Sequence, residues 1–351
     1  MEQRVLGRTG MRVSVLGYGA GAVGGLMVRG SAAEQDRSLR RALEAGISYI
    51  DTAAIYGDGE SERALGRLLK TLPKRPQIGT KVRLPPTGRS DIGGAIAASL
   101  EASLGRLGLD HVDLFQLHDP IGSAGGYTVE QVLDQAVPAL QRLRDQGKCR
   151  FLGITALGEV AALRRVLLSG AFDTAQVPYN LLNPSWLGPM PPGLPGQDFA
   201  ALGLEAAAAG VGLIGIRILA AGALSGEAAR HPVAMQAVAP IASADDYGTD
   251  LAHARRLLPL VAEGHVASLA EAAIRFAITP PRTGTAPMGT GPVGTTTIGT
   301  ATIGTATIGT ALIGTASLEQ LEAAIAAAGK GPLPAATLAR MAVLLAGAGG
   351  T

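Results

Sequence analysis

Apolar and polar positions along the chain fall into two alternating kinds of stretch. Short runs rich in Val, Ile, Leu and Gly suit strands buried on both faces, and each precedes a longer segment with apolar residues three or four apart. Residues 4–15 read as a hairpin turning at Gly7-Arg8-Thr9-Gly10, and Val15–Gly19 reads as a buried strand. Ser31-Ala32-Ala33-Glu34 has capping-box spacing for a helix that stops at Gly46. A strand to Asp51, a helix through Leu68 and a strand at Gln77–Lys81 follow. Ser90-Asp91 opens a helix with Ile92, Ile96, Leu100, Leu104 and Leu107 on one face, and Val112–His118 is the next strand. Thr128–Gln131 caps a helix that Pro138 must kink or restart. Strands at Phe151–Thr155, Thr174–Tyr179 and Val211–Ile216 alternate with helices to about Leu168 and near 197–209. A helix from Ser268, a strand at Leu312–Thr315 and a helix capped by Ser317-Leu318-Glu319-Gln320 complete the series. Eight strand–helix units predict an α/β fold, a closed (β/α)8 TIM barrel with an N-terminal β-hairpin.

One segment breaks the rhythm. From Pro287 the chain repeats every five residues: PMGTG, PVGTT, three copies of TIGTA, then LIGTA. The period is far below the ~20 residues of a solenoid repeat. It reads as a low-complexity pentapeptide insertion, flexible or loosely β-like, over 283–311 before strand eight. Its copies resemble one another, so strand register is weakly specified there. The expected organisation is one barrel over 1–330 and a C-terminal tail over 331–351, packing a short helix and then fraying.

Composition narrows the class. Hydrophobic residues make up 47% of the 351, enough for a sizeable core, and the net charge of +2 comes without a basic stripe interleaved with aromatics. Nucleic acid is therefore not expected as a partner. No run suits a membrane span or a secretory leader, so a cytoplasmic location is expected. The single cysteine, Cys149, reads as a core residue at a strand start, in keeping with a reducing compartment. His231, His253 and His265 show no ligand spacing, so no metal is expected, and His111 sits at the far end of the strand that leads to His118.

Residues that end barrel strands converge on one face. Asp51 ends the second strand, Tyr56 lies on the loop after it, Lys81 ends the third and His118 the fourth. A free phenol titrates at about pH 10, and an ammonium beside it favours the phenolate. A carboxylate holds that ammonium charged, and a histidine can hydrogen-bond a carbonyl oxygen. Such a group transfers protons between a carbonyl and an alcohol while a cofactor handles hydride.

Here the chain closely resembles the aldo-keto reductase superfamily over residues 1–282 and 311–328. The resemblance rests on Leu6–Gly10, Leu16-Gly17-Tyr18-Gly19, Asp51-Thr52-Ala53-Ala54-Ile55-Tyr56-Gly57, Lys81 and Asp113–His118. It implies a catalytic tetrad of Asp51, Tyr56, Lys81 and His118, with Tyr56 as general acid in reduction and general base in oxidation. Leu117-His118-Asp119 and Lys148–Thr155 look most like the sugar-oxidising branch typified by the L-galactose and D-threo-aldose 1-dehydrogenases.

The resemblance also implies where a cofactor lies. Thr155 and Gln176 match positions that hold the nicotinamide carboxamide, with Ala156 where an asparagine is common. Ile216 replaces the aromatic often found beneath the nicotinamide. Arg217-Ile218-Leu219 replaces Ser-Pro-Leu, and Arg217 could reach a phosphate or pair with an acid. Gly222, Leu224 and Gly226 match the loop along the pyrophosphate, and Gly19 lies at the same mouth. The adenosine end falls at Gly314, Thr315, Ala316 and Ser317, a helix N-terminus, with Gln320 near adenine. No Lys or Arg stands near Ala316 to clamp a 2′-phosphate, so of NAD and NADP the sequence leans to NAD.

A small carbonyl or sugar substrate is expected against the loops after strands four, six and seven, at Asp119 and at Trp186, a platform or else packing under its loop. The competing reading is a non-catalytic cofactor-sensing barrel, resembling the potassium-channel β subunits. The sequence leaves oligomeric state open.

Overall fold

In a computed structural model, which describes residues 1–281 and 306–346, the parallel strands close on themselves. They are β3 (Leu16–Gly19), β4 (Tyr49–Asp51), β5 (Gln77–Val82), β6 (Val112–Leu117), β7 (Cys149–Thr155), β8 (Thr174–Pro178), β9 (Gly212–Ile216) and β10 (Ile308–Ile313). β10 pairs with both β9 and β3 and seals the ring. This is the (β/α)8 barrel expected from the alternation. Ahead of it β1 (Gln3–Val5) and β2 (Arg12–Ser14) form the antiparallel hairpin.

Side chains alternate across each barrel strand and fall into two apolar cores. Ile50, Ile78, Phe115, Leu152, Ile154, Ala175 and Ala311 face the helices. Tyr49, Leu114, Ile214 and Leu312 face inward and pack with Leu6, Met11 and Val13 of the hairpin, which plugs one end. Gly7 lets this plug seat, because a side chain there would collide with the backbone of Gly210 and Gly212. Arg8 donates its N–H to the Gly210 carbonyl at 2.7 Å.

Helix ends follow the caps read from the sequence. Ser31 and Glu34 form the reciprocal box of the helix Ala32–Glu44. Asp91 accepts from the Gly94 N–H at the start of Ile92–Leu107, whose predicted apolar face is buried throughout. Thr128 and Gln131 exchange hydrogen bonds of 2.9 and 3.1 Å. Pro138 restarts the helix that follows: a wide π turn covers Gln131–Ala136 and an α-helix runs Val137–Asp145. Cys149 opens β7, and burial pushes its thiol up to about 12.

Two boundaries differ from expectation. The helix near 197–209 covers only Leu202–Ala208, because Ala200 and Ala201 take left-handed backbone at φ 52° and 54° and Ser185 captures the preceding N–H of Phe199 at 3.0 Å. β10 begins at Ile308 rather than Leu312. Its pairing with β9 starts at Ile308 opposite Leu213, inside the segment read as insertion, so a TIGTA copy supplies Ile308–Ala311, four of the six residues of the strand. The near-identity of successive copies concealed which one would pair. The remainder of the repeat, 282–305, lies outside the described residues. In the tail a helix, Ala335–Ala346, buries Thr337, Met341 and Leu345, and 347–351 also lie outside the description.

Candidate active site

β4 ends at Asp51, whose register partner on β5 is Gly79; Lys81 comes two residues later on the same face. Lys81 stands opposite Gln116 on β6, and Thr155 opposite Gln176 on β8. The pleat therefore puts Asp51, Lys81, Gln116, Thr155 and Gln176 in one inward layer above the apolar plug.

Lys81, 1% exposed, donates to Asp51 Oδ2, to the Thr52 carbonyl at 2.8 Å and to the Tyr56 hydroxyl at 3.2 Å. Burial pulls its pKa down, but Asp51 and Tyr56 outweigh this, and the net shift is upward. The ammonium therefore stays charged. Tyr56 is half-buried, with Lys81 Nζ 4.8 Å from its ring centroid. His118 meets Tyr56 edge to face at 5.9 Å. Burial, then the charges of Lys81 and Arg83, push His118 down to about 3, so its imidazole is neutral at ordinary pH. Its Nδ1 is buried without a partner. The structure thus brings together all four residues that the strand ends suggested: a charged donor, a phenol and a neutral imidazole around one opening.

Residues placed at the cofactor by resemblance divide. Gln176 donates to Asp51 Oδ1 at 2.6 Å and accepts from Thr155 Oγ1 at 3.4 Å, so it is tied to the tetrad as well as to the mouth. Ile216 and Leu219 are half-buried at the end of β9. Arg217 takes left-handed backbone at φ 59°, and Asn180 Nδ2 holds its carbonyl at 2.8 Å. Its guanidinium contacts the Ala239 carbonyl at 3.4 Å rather than a carboxylate. Burial lowers its pKa, opposed by Tyr56 and Asp250, which sets it near the opening. Gly222, at φ 112°, sits beside Ala221, whose carbonyl accepts from Arg230 at 2.7 Å. Leu224 does not line the site: it is fully buried, and its N–H donates to the Leu219 carbonyl.

At the other end, a side chain on Gly24 would come within 2.6 Å of Gly314 and Thr315, and one on Gly19 within 3.2 Å of Gly314. These glycines keep the backbone bare beside Gly314–Ser317. Ser317 caps the helix Leu318–Gly329 by accepting from the Gln320 N–H. Gln320 Oε1 takes the Ala316 N–H at 2.8 Å, so that oxygen serves the cap. Arg37 and His231 add small contributions to holding the Glu319 carboxyl below its usual range, after its own N–H and the Ser317 hydroxyl. A basic group thus reaches this region from a distant helix, which spacing near Ala316 could not reveal. Bare backbone at a helix N-terminus, together with Arg217, fits a dinucleotide phosphate.

Both substrate residues are corrected. Trp186 is fully buried and stacks on Phe199 at 4.6 Å, packing beneath its loop instead of offering a platform. Asp119 is 1% exposed, its carboxylate held by Arg89 at 2.7 Å and the Leu84 N–H at 3.0 Å. The arginines around it drew the acid into the wall. Among the described residues no metal-binding cluster occurs and no helix is long and apolar enough to cross a membrane.

Sequence reasoning missed Tyr49, Gln116 and Arg83. A glutamine inside the apolar run Val112–Leu117, two residues before His118, was the available signal.

Comparison with known proteins agrees with this fold. The chain is 39% identical over 163 residues to the L-galactose dehydrogenase of Arabidopsis thaliana, covering 45% of this chain and 49% of that protein. It is 34% identical over 182 residues to a D-threo-aldose 1-dehydrogenase of Pseudomonas sp., covering 45% and 54%. It thus spans about half the length of the curated relatives it matches. Its fold superposes with TM-score 0.66 on an aldo-keto reductase from Bacillus halodurans in its holo form, at 22% identity over 98% of this chain and 96% of that one. An aldo/keto reductase from Klebsiella pneumoniae in complex with NADP and acetate gives 0.66 at 19% identity, over 99% and 96%. The model of the Aldo/keto reductase family matches residues 15–345, and the chain belongs to that family.

Proposed function

We propose that this protein is a cytoplasmic, NAD(P)-dependent oxidoreductase that interconverts an alcohol and a carbonyl on a small substrate, with an aldose hemiacetal and its lactone the favoured pair. The observation that carries the reading is Lys81 Nζ bonded at once to Asp51 and to the Tyr56 hydroxyl, beside a neutral His118. When bound, the nicotinamide cofactor supplies or takes the hydride. Every other part belongs to the chain. Tyr56 gives its proton to the carbonyl oxygen in reduction and takes the hydroxyl proton in oxidation. The ammonium at 3.2 Å stabilises the phenolate left behind. Neutral His118 hydrogen-bonds the reacting oxygen without competing for its proton.

The sugar branch is favoured by the likeness to the two aldose-type dehydrogenases. Gly314–Ser317 and Arg217 hold the phosphates. The lean to NAD rests on the absence of a basic residue beside Ala316, and Arg37 and His231 are the groups that could reverse it. The test is titration with NAD and NADP, followed by turnover on a panel of aldoses and aldehydes in both directions. Tight nucleotide binding with no hydride transfer to any of them would favour the sensing barrel and sink this reading.

A further inference from the structure

Four donors converge on one carboxylate. Asp51 Oδ2 receives Lys81, while Oδ1 receives the Gln176 amide at 2.6 Å, the Gln116 amide at 3.2 Å and the Tyr49 hydroxyl at 3.2 Å. A carboxylate offers about four lone-pair sites, and this one draws four donors, three of them on Oδ1, although only 3% exposed. The neutral donors replace the water that burial removed and spread the negative charge away from Lys81.

The space for two of them is set aside by glycine. On β5, a side chain at Gly79 would fall on the Tyr49 hydroxyl. On β7, one at Gly153 would come within 2.9 Å of the Gln116 Cγ. Both glycines face inward, where barrels ordinarily carry bulky branched residues. Gln116 points its amide N–H at Asp51 even though its Oε1 is then left buried without a partner, an orientation that costs a hydrogen bond and that only the carboxylate repays.

From this arrangement we propose that Tyr49 and Gln116, in the room left by Gly79 and Gly153, are positioning residues that set the acidity of Tyr56 through Asp51 and Lys81. The proposal rests on Tyr56 being the proton-transfer group described above. With a donor removed, Asp51 bears more of its own charge and neutralises more of the Lys81 ammonium, so the Tyr56 phenolate loses support. Its titration moves up. The other groups facing this cluster are His118 against Tyr56, Arg217 near Tyr56, Arg83 acting on His118, and Asp113, paired with Arg75 and Arg150, acting on Tyr49. None of them is changed by the test.

The experiment is a pH titration of the whole protein carrying ring-labelled tyrosine, followed by NMR, with the Tyr56 signal identified by its loss in Tyr56→Phe. Tyr49→Phe, Gln116→Met and Gly79→Ala are each expected to raise the Tyr56 midpoint by about half a pH unit or more. The rising limb of the oxidation rate, where Tyr56 gains its base form, should move with it. Gly79→Ala leaves every bonding group in place, so its agreement with Tyr49→Phe separates displacement of the hydroxyl from general damage, and melting temperature checks folding. An unmoved Tyr56 midpoint in folded variants overturns the proposal. Because the titration needs neither cofactor nor substrate, it stands apart from the activity screen: a wild-type protein without turnover sinks the functional reading and leaves this result intact.

Discussion

At the closed end of the barrel, Leu6, Met11, Val13, Leu114 and Ile214 pack together with no charge among them. One layer further along the barrel stand Asp51, Lys81, Gln116 and Gln176, every one at least 97% buried and every one hydrogen-bonded to another of the set. Both layers are buried, yet they tolerate change differently. In the lower layer a lost methyl leaves a void, and neighbours can partly close it. In the upper layer a lost group leaves a charge without its partner, and nothing nearby can supply another. The proposed chemistry sits where the cost of a missing atom is electrostatic.

The sharpest break of this contrast is Lys81→Met. It strands Asp51 with only neutral donors, and a loss of about 3–5 kcal/mol is expected in denaturant unfolding, together with loss of turnover. Next comes Tyr56→Phe, which removes one hydroxyl from the open side of the same group. The expected loss is about 10²–10⁴-fold in kcat, with nucleotide Kd and melting temperature near wild type. Turnover retained by that variant would remove Tyr56 from the mechanism.

Leu114→Ala probes the lower layer, two residues below Gln116 on β6. Unfolding should show a loss of about 2–5 kcal/mol, while kcat of the folded fraction stays near wild type. A larger effect on kcat than on stability would mean that the plug positions the chemistry and that the two layers are not separable. The effect smallest at neutral pH concerns His118. Its folded value of about 3 lies below the 6.5 of an unfolded histidine. Between those values the unfolded chain binds a proton that the folded one refuses, so stability falls as pH drops from 6.5 toward 3. His118→Gln should flatten that part of the stability curve, by at most about 1.4 kcal/mol per pH unit.

Much of this was legible in the chain itself. The strand ends Asp51, Lys81 and His118 were readable because buried parallel strands announce themselves as apolar runs, and the barrel brings their ends together whatever lies between. Helix starts were equally plain, since a capping box is local chemistry between residues three apart. Trp186 stayed undecided between platform and packing because an aromatic on a Gly- and Pro-rich loop gives no hint of the Phe199 face that covers it. Arg37 near Glu319 was invisible for the same reason, with about 280 residues between them and only the closed ring making them neighbours.

The sequence by itself determined the alternation of strands and helices, the caps and the residue types at each strand end, because these depend on contacts within a few residues. Only the tertiary structure decided which TIGTA copy pairs with β9, which acid faces the mouth and which is walled in, and that Asp51 receives four donors from four strands. Those outcomes depend on register between strands far apart in the chain, and a shift of one residue would turn each of these side chains to the opposite face.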